Sequence, residues 1–198
     1  MTEPAGTGPQ IGEDGRARCP WGVSTPDYVE YHDVEWGRAV HGDDALFERI
    51  CLEAFQSGLS WITILRRRET FRTAFRHFAI DEVAAFTDTD RERLLADPGI
   101  IRNRAKIDAA IANATAAQEV RKTYDGGLYA LVWSYAPDPA GRPAPRTTAD
   151  VPATTPESVA LSKDLKKRGF RFVGPTTAYA LMQACGLVND HLEGCFAR

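Results

Sequence analysis

Three groups of residues in this 198-residue chain have the types and spacing to do chemistry. The first is Cys19, His32, His191 and Cys195, of which the last two lie four positions apart and can converge on one ion. Two thiolates and two imidazoles fill the tetrahedral shell of Zn²⁺, so such a site is closed and structural and does not activate water. The competing reading is plain burial, the usual state of scattered cysteines and histidines in a reducing compartment. The second group centres on Glu53, three residues after Ile50 and seven after Leu46, on the helical stripe that apolar residues mark as core-facing. A carboxylate there needs a hydrogen-bond donor, a cation, or a pocket completed by a polar ligand. Tyr28, Tyr31, Trp36 and Trp61 lie around it in sequence; aromatic faces beside an anion suit a flat cation, although aromatics also simply fill cores. The third group is basic. Lys163, Lys166, Lys167, Arg168 and Arg171 flank the link GFRFVG at 169–174, where Gly169 and Gly174 permit a tight turn and the amides beside Thr176 and Thr177 suit a phosphate oxygen. Arg66 to Arg68, Arg102, Arg104 and Lys106 either extend that basic face or are solvated helix surface.

Positioning these groups falls to helices. From Asp43 the residues Leu46, Phe47, Ile50, Cys51 and Ala54 repeat at helical spacing, with Asp43 or Asp44 as cap and Gly58 as stop. Ser60 opens a second helix whose stripe runs Trp61, Ile64, Leu65, Phe71, Phe75 and Phe78. Short helices follow Asp81 and Thr89, a long one runs from beyond Pro98-Gly99 to Gly126-Gly127, and another covers 128–135. Thr155-Pro156 and Pro175 start the two helices that bracket the GFRFVG link, a helix-hairpin-helix pattern. Strand-like alternation is nearly absent, so the fold class is all-α. Residues 1–17, rich in Gly, Pro and charge, read as a disordered leader to a domain over 18–198. The five-proline loop at 137–152 is the boundary if that domain has two lobes. With 43% hydrophobic residues the chain can bury a core, and 24 Lys and Arg against 27 Asp and Glu exclude a uniformly basic nucleic-acid coat. The absence of a long apolar run or secretion signal, with only four cysteines, points to a cytoplasmic protein without disulfides or membrane contact.

Four stretches carry a family resemblance: CPWG…YVEYHDVEWG (19–37), LFERICLEAFQSGLSWITIL (46–65), GIIRNRAKI (99–107) and LKKRGFRFVGPTTAYALMQACGLVNDH (165–191). Together they resemble the type I 3-methyladenine DNA glycosylases in order and with few gaps, from Cys19 to Cys195. The resemblance implies a helix-hairpin-helix glycosylase fold and excision of 3-methyladenine from alkylated double-stranded DNA. It implies one structural Zn²⁺ held by Cys19, His32, His191 and Cys195, joining the two ends of the chain. It also implies a base pocket made of Glu53, Tyr28, Tyr31 and Trp61, where a flipped-out base is stacked and Glu53 discriminates it. The expected DNA contacts are Lys166, Lys167, Arg168, Gly169, Gly174 and Thr176, with no obligate protein partner. The wider superfamily has a catalytic Asp beyond the hairpin that the type I family is described as lacking. Asp190, the nearest candidate, adjoins His191 and reads first as support for that ligand or as a helix cap, with general base as the lesser alternative. Ile64 and Leu65 are candidates to fill the gap left by a flipped base, with core burial as the stronger reading.

Overall fold

The computed structural model describes residues 6–198; positions 1–5, the start of the expected leader, lie outside the described residues. Helices stand where a cap and an apolar stripe coincide. Helix α1 (Pro26–Val34) starts at Thr25, whose hydroxyl accepts the Tyr28 amide, with proline in the first turn. Helix α2 (Asp43–Gln56) carries Asp43 and Asp44 in its first turn and buries Leu46, Phe47, Ile50, Leu52 and Phe55. It stops before Gly58, which sits at φ +79°.

The single second helix expected from 60 to 78 is instead three pieces: α3 (Trp61–Leu65), α4 (Arg68–Ala74) and a 3₁₀ turn at Arg76–Phe78. A straight helix of that length would run about 27 Å, carrying one end away from the core. The breaks let Ile64, Phe71, Phe75 and Phe78 all reach full burial, with Phe75 and Phe78 stacked at 5.4 Å. The turn carries three residues at positive φ, Arg76, His77 and Phe78. Ile64 is therefore core.

Helices α5 (Ile80–Ala84) and α6 (Asp88–Ala96) follow, the latter closed by a Thr87–Asp90 capping box. The long α7 (Arg104–Thr123) is capped by Asn103 and packs against α2, α5, α6 and α8 (Gly127–Trp133). Beyond the loop at 137–152, α9 (Pro156–Lys167) and α10 (Pro175–Ala184) form the hairpin pair, and α10 lies on α2. One core runs through Phe47, Ile107, Leu128, Leu165 and Met182, so the proline-rich loop does not separate two cores.

Residues 6–17 depart from the expectation of disorder. Strand β1 (Gln10–Ile11) pairs antiparallel with β2 (Ala17–Arg18), and the Thr148 amide donates to the Thr7 carbonyl at 3.1 Å. The cause is charge, which an apolar-period argument does not register. Arg18 is 3% exposed, and its guanidinium meets Asp14 at 2.6 and 2.7 Å and Asp33 at 2.7 and 2.8 Å.

Lys106, read from the sequence as either part of the basic face or solvated helix surface, is buried. Its Nζ donates to the Phe55 carbonyl at 2.8 Å and the Ser57 carbonyl at 2.6 Å, closing the end of α2 that carries Glu53. Removing it leaves those carbonyls unmet at a cost of about 1–3 kcal/mol. Lys106→Met should lower the melting temperature by roughly 5 °C in calorimetry; an unchanged value would mean that water serves both carbonyls equally well.

Candidate functional site

A cavity of about 380 Å³ opens where α1, α2, α3 and α10 meet, within the ~300–1,000 Å³ range of small-molecule sites. Helix α1 supplies Tyr28 and Tyr31, α2 supplies Glu53 and Gln56, and α3 supplies Trp61. The Tyr28 hydroxyl accepts the Ile62 amide at 3.0 Å, which fixes the start of α3 and with it Trp61. Tyr31 and Trp61 face each other at 5.5 Å, tilted by 43°. Trp21, from a 3₁₀ turn at Pro20–Val23, packs edge-on to Tyr28 at 5.7 Å and to Trp36 at 5.0 Å. Trp21 belongs to the CPWG motif, yet nothing local in the sequence gives it a role; its place at the hub of four aromatic neighbours depends on a turn too short to show periodicity.

Glu53 is 6% exposed and lines this cavity. Burial pushes its carboxyl up to about 8, against the opposing pull of the Arg49 charge. Arg49 is itself drawn to Glu35 at 2.6 Å, which Arg68 also contacts. Tyr31 is held well above its ordinary value, first by burial and then by Glu53, so its phenol is neutral. The cavity thus combines flat apolar walls with one carboxyl whose ionisation the protein opposes and an incoming cation would favour.

Asp190 differs from its reading as support for His191. It is 4% exposed, lines the cavity, and accepts hydrogen bonds from the Tyr179 hydroxyl, from Gln183 Nε2 at 2.9 Å and from the Arg142 guanidinium at 2.9 Å. Arg142 comes from the proline-rich loop, which also contributes Thr148 and Val151 to the cavity wall. No local signal in the sequence connects that loop to the site.

At the hairpin, Lys166, Lys167, Gly169 and Thr176 are exposed and Gly174 is half-buried at the N-cap of α10. Gly169 takes φ +97°, a conformation that a side chain would resist. No side chain caps the first amides of α10, where Pro175 removes one donor. The link is stapled by Asn113 of α7, which accepts the Arg171 amide at 2.7 Å and donates to the Arg171 carbonyl at 3.1 Å. Arg168 is turned inward to Asp164 at 3.0 Å and over the Tyr124 ring, so it is less free than its lysine neighbours. Arg66 pairs with Asp27, Arg67 donates to the Pro98 and Gly99 carbonyls, and Arg68 pairs with Glu35.

Beside the cavity, Cys19, His32, His191 and Cys195 bring one ligand atom each to within 4.8 Å of one another, all buried. His32 Nε2 is 3.4 Å from Cys195 Sγ, and His191 Nδ1 is 3.7 and 3.6 Å from the sulfurs of Cys19 and Cys195. The far nitrogen of each ring is engaged: His32 Nδ1 with Asp33 at 2.9 Å, and His191 Nε2 with the Trp36 carbonyl at 3.1 Å. That arrangement turns the remaining nitrogens onto the thiols, as metal-ligating histidines require. Burial pushes the Cys19 thiol up to about 12 and His191 down to about 4, so the protein itself does little to favour charge there. The group can hold a metal ion.

Comparison with known proteins places these features in context. The family model described as methyladenine glycosylase matches residues 21–198. DNA-3-methyladenine glycosylase 1 of Escherichia coli is 48% identical over 178 residues, covering 90% of this chain and 95% of that protein. DNA-3-methyladenine glycosylase of Haemophilus influenzae is 44% identical over 181 residues, covering 90% and 96%. A crystal structure of 3-methyladenine DNA glycosylase I superposes with a TM-score of 0.85 at 47% identity, covering 91% of this chain and 99% of the other. The Staphylococcus aureus enzyme, solved to explain 3-methyladenine recognition, gives 0.84 at 34% identity, covering 91% and 95%.

Proposed function

The chain belongs to the methyladenine glycosylase family, and on that footing we propose that it excises 3-methyladenine from alkylated duplex DNA by hydrolysing the N-glycosidic bond. The observation that carries this reading is the buried Glu53 carboxyl in an aromatic cavity. Methylation at N3 makes adenine cationic. A flipped cationic ring gains from stacking on the Tyr31 and Trp61 faces and from the Glu53 carboxylate, whereas neutral adenine lacks the charge that repays ionising a buried acid. The cation is already a good leaving group, so the bond to C1′ breaks with the electron pair leaving on the base, and water adds to the oxocarbenium-like sugar and gives up a proton. Selection then resides in the cavity more than in acid catalysis. Tyr28 holds α3 against α1, and so acts on the base through Trp61.

We assign Zn²⁺ to Cys19, His32, His191 and Cys195. Zn–S of about 2.3 Å and Zn–N of about 2.0–2.1 Å give a tetrahedral edge of about 3.5 Å, and the sulfur–nitrogen separations of 3.4, 3.6 and 3.7 Å fit it. When bound, the ion cross-links the two ends of the domain. Four protein ligands leave no position for water, so hydrolysis is the work of the cavity.

The duplex is assigned to the hairpin, with Lys166, Lys167, Gly169, Gly174 and Thr176 at the phosphates and Arg168 contributing if it leaves Asp164. Lys167→Ala should weaken binding of damaged and undamaged duplex alike and lower the slope of affinity against salt by about one; unchanged binding would move the phosphate contact elsewhere. A cytoplasmic location agrees with four free cysteines among the described residues, none of whose helices is long and apolar enough to cross a membrane. The activity is tested by chromatography of free bases released from methylated duplex.

A further inference from the structure

We propose that Gln183 is a specificity-determining residue of the cavity: Asp190 fixes its amide so that the carbonyl oxygen, not the NH₂, meets the flipped base, favouring a base with an exocyclic amine over one with a carbonyl at that position. The inference rests on the glycosylase reading and adds to it a second acceptor besides Glu53.

The orientation follows from donors and acceptors. Asp190 Oδ1 accepts from the Arg142 guanidinium at 2.9 Å, and Oδ2 accepts from the Tyr179 hydroxyl and from Gln183 Nε2 at 2.9 Å. The Tyr179 oxygen itself accepts from Arg142 at 2.9 Å, so its single proton is directed to Asp190. A guanidinium only donates and an ionised carboxylate only accepts, so Asp190 can hold the NH₂ of Gln183 but not its Oε1. One of the two N–H donors of the amide is held on Asp190, which turns the nitrogen end toward that carboxylate and leaves Oε1 as the acceptor end on the other side. Tyr179 and Gln183 stand four apart on α10, on the face that meets Asp190, and Gln183 and Asp190 both line the cavity. Two threads of the chain thus set one amide: α10, and the loop that supplies Arg142.

The consequence is chemical. The amine of 3-methyladenine donates to an acceptor. 3-Methylguanine carries the same methyl group and the same positive charge but presents a carbonyl at the corresponding ring position, which Gln183 Oε1 leaves unpaired and repelled. A site built to bond one group discriminates against its replacement by about tenfold or more.

The test is the kcat/KM for release of 3-methyladenine and of 3-methylguanine by wild type, Gln183→Met and Asp190→Asn, with melting curves to confirm folding. Gln183→Met keeps the shape and removes the acceptor, so the adenine-to-guanine ratio should fall about tenfold, through loss on the adenine arm. Inhibition by free 3-methyladenine should weaken by a similar factor. In Asp190→Asn the new amide can donate to Gln183 Oε1 and let the glutamine turn its NH₂ to the base, so the ratio should fall with a gain on the guanine arm. A merely structural role lowers both arms together. An unchanged ratio in both folded variants, or equal losses on both lesions, overturns the assignment of Gln183 while leaving the glycosylase reading intact. A wild type that releases neither base defeats that reading, and this one with it.

Discussion

Replacing Glu53 by glutamine should lower 3-methyladenine release by about a hundredfold and at the same time raise the melting temperature at neutral and alkaline pH. Both effects come from the same burial. Glu53 ionises at about 8 in the folded protein against an ordinary 4.5. Below pH 4.5 the carboxyl is protonated in folded and unfolded chains alike. Between 4.5 and 8 the unfolded chain gives up its proton first, so stability declines as pH rises, and above 8 the loss is complete, on the order of 5 kcal/mol. A neutral amide carries no such penalty, so the stability gained by Glu53→Gln should grow from nothing at about pH 4 to its full size at about pH 9. For activity the sign is reversed. The carboxylate is the form that holds a cation, so kcat/KM of the wild type should rise with pH and flatten near 8. A variant less stable than wild type at about pH 9, or a kcat/KM that falls through about pH 8, would show Glu53 to be a satisfied structural acid.

The second large effect is expected at the Cys₂His₂ group. Purified protein should carry about one zinc per chain, and Cys195→Ser should lose it. The domain has its own apolar core, so loss of the cross-link is not expected to unfold it outright. A destabilisation on the order of 4 kcal/mol, roughly 10 °C for a chain of this length, is expected in calorimetry. The effect should be felt at both ends of the chain. Cys19 and His32 lie beside β2 and on α1, His191 and Cys195 lie beyond α10, and Arg18 ties Asp33, the partner of His32, to the amino-terminal hairpin. Chelator treatment of wild type should reproduce the loss, and zinc should restore it. Wild-type protein that is metal-free yet melts identically before and after chelation would leave four buried side chains that merely pack.

How far the sequence carries depends on the range of each interaction. Whereas α1, capped by Thr25, carries no apolar stripe to announce it, a cap that acts within four residues, as Thr155 does for α9, places a helix start where local chemistry predicts. The Glu53 stripe is legible for the same reason, since i, i+3 and i+7 positions share a face whatever the tertiary structure. The break after Leu65 is not, because it is set by the need of Phe71 and Phe75 to meet Phe55 and of Phe78 to meet Phe47, and residue spacing alone reads the same stripe as one helix. The hairpin before α1 escapes a periodicity reading because ion pairs to Arg18 hold it. Asp190 has a different neighbour from the one chain adjacency suggests: adjacency points to His191, while its partners are Tyr179 and Gln183, eleven and seven residues away, and Arg142, forty-eight away. Lys106 shows the same limit, since a lysine among basic residues reads as surface until two carbonyls from the end of α2 and its cap are found on its Nζ.

The most direct measurement is the identity of the bases that the purified, folded protein sets free from methylated duplex DNA, separated by chromatography with no metal added. The expected result is 3-methyladenine in solution with 7-methylguanine left in the duplex, and near-complete loss of that release in folded Glu53→Gln. A folded, zinc-loaded protein that binds the duplex and frees no base would contradict the assignment and make the cavity a recognition site for damage. Release of 7-methylguanine at a comparable rate would contradict the preference for an exocyclic amine assigned to Gln183, since that base is also a cation but carries a carbonyl, and would leave the selection of charge by Glu53 and the aromatic walls intact.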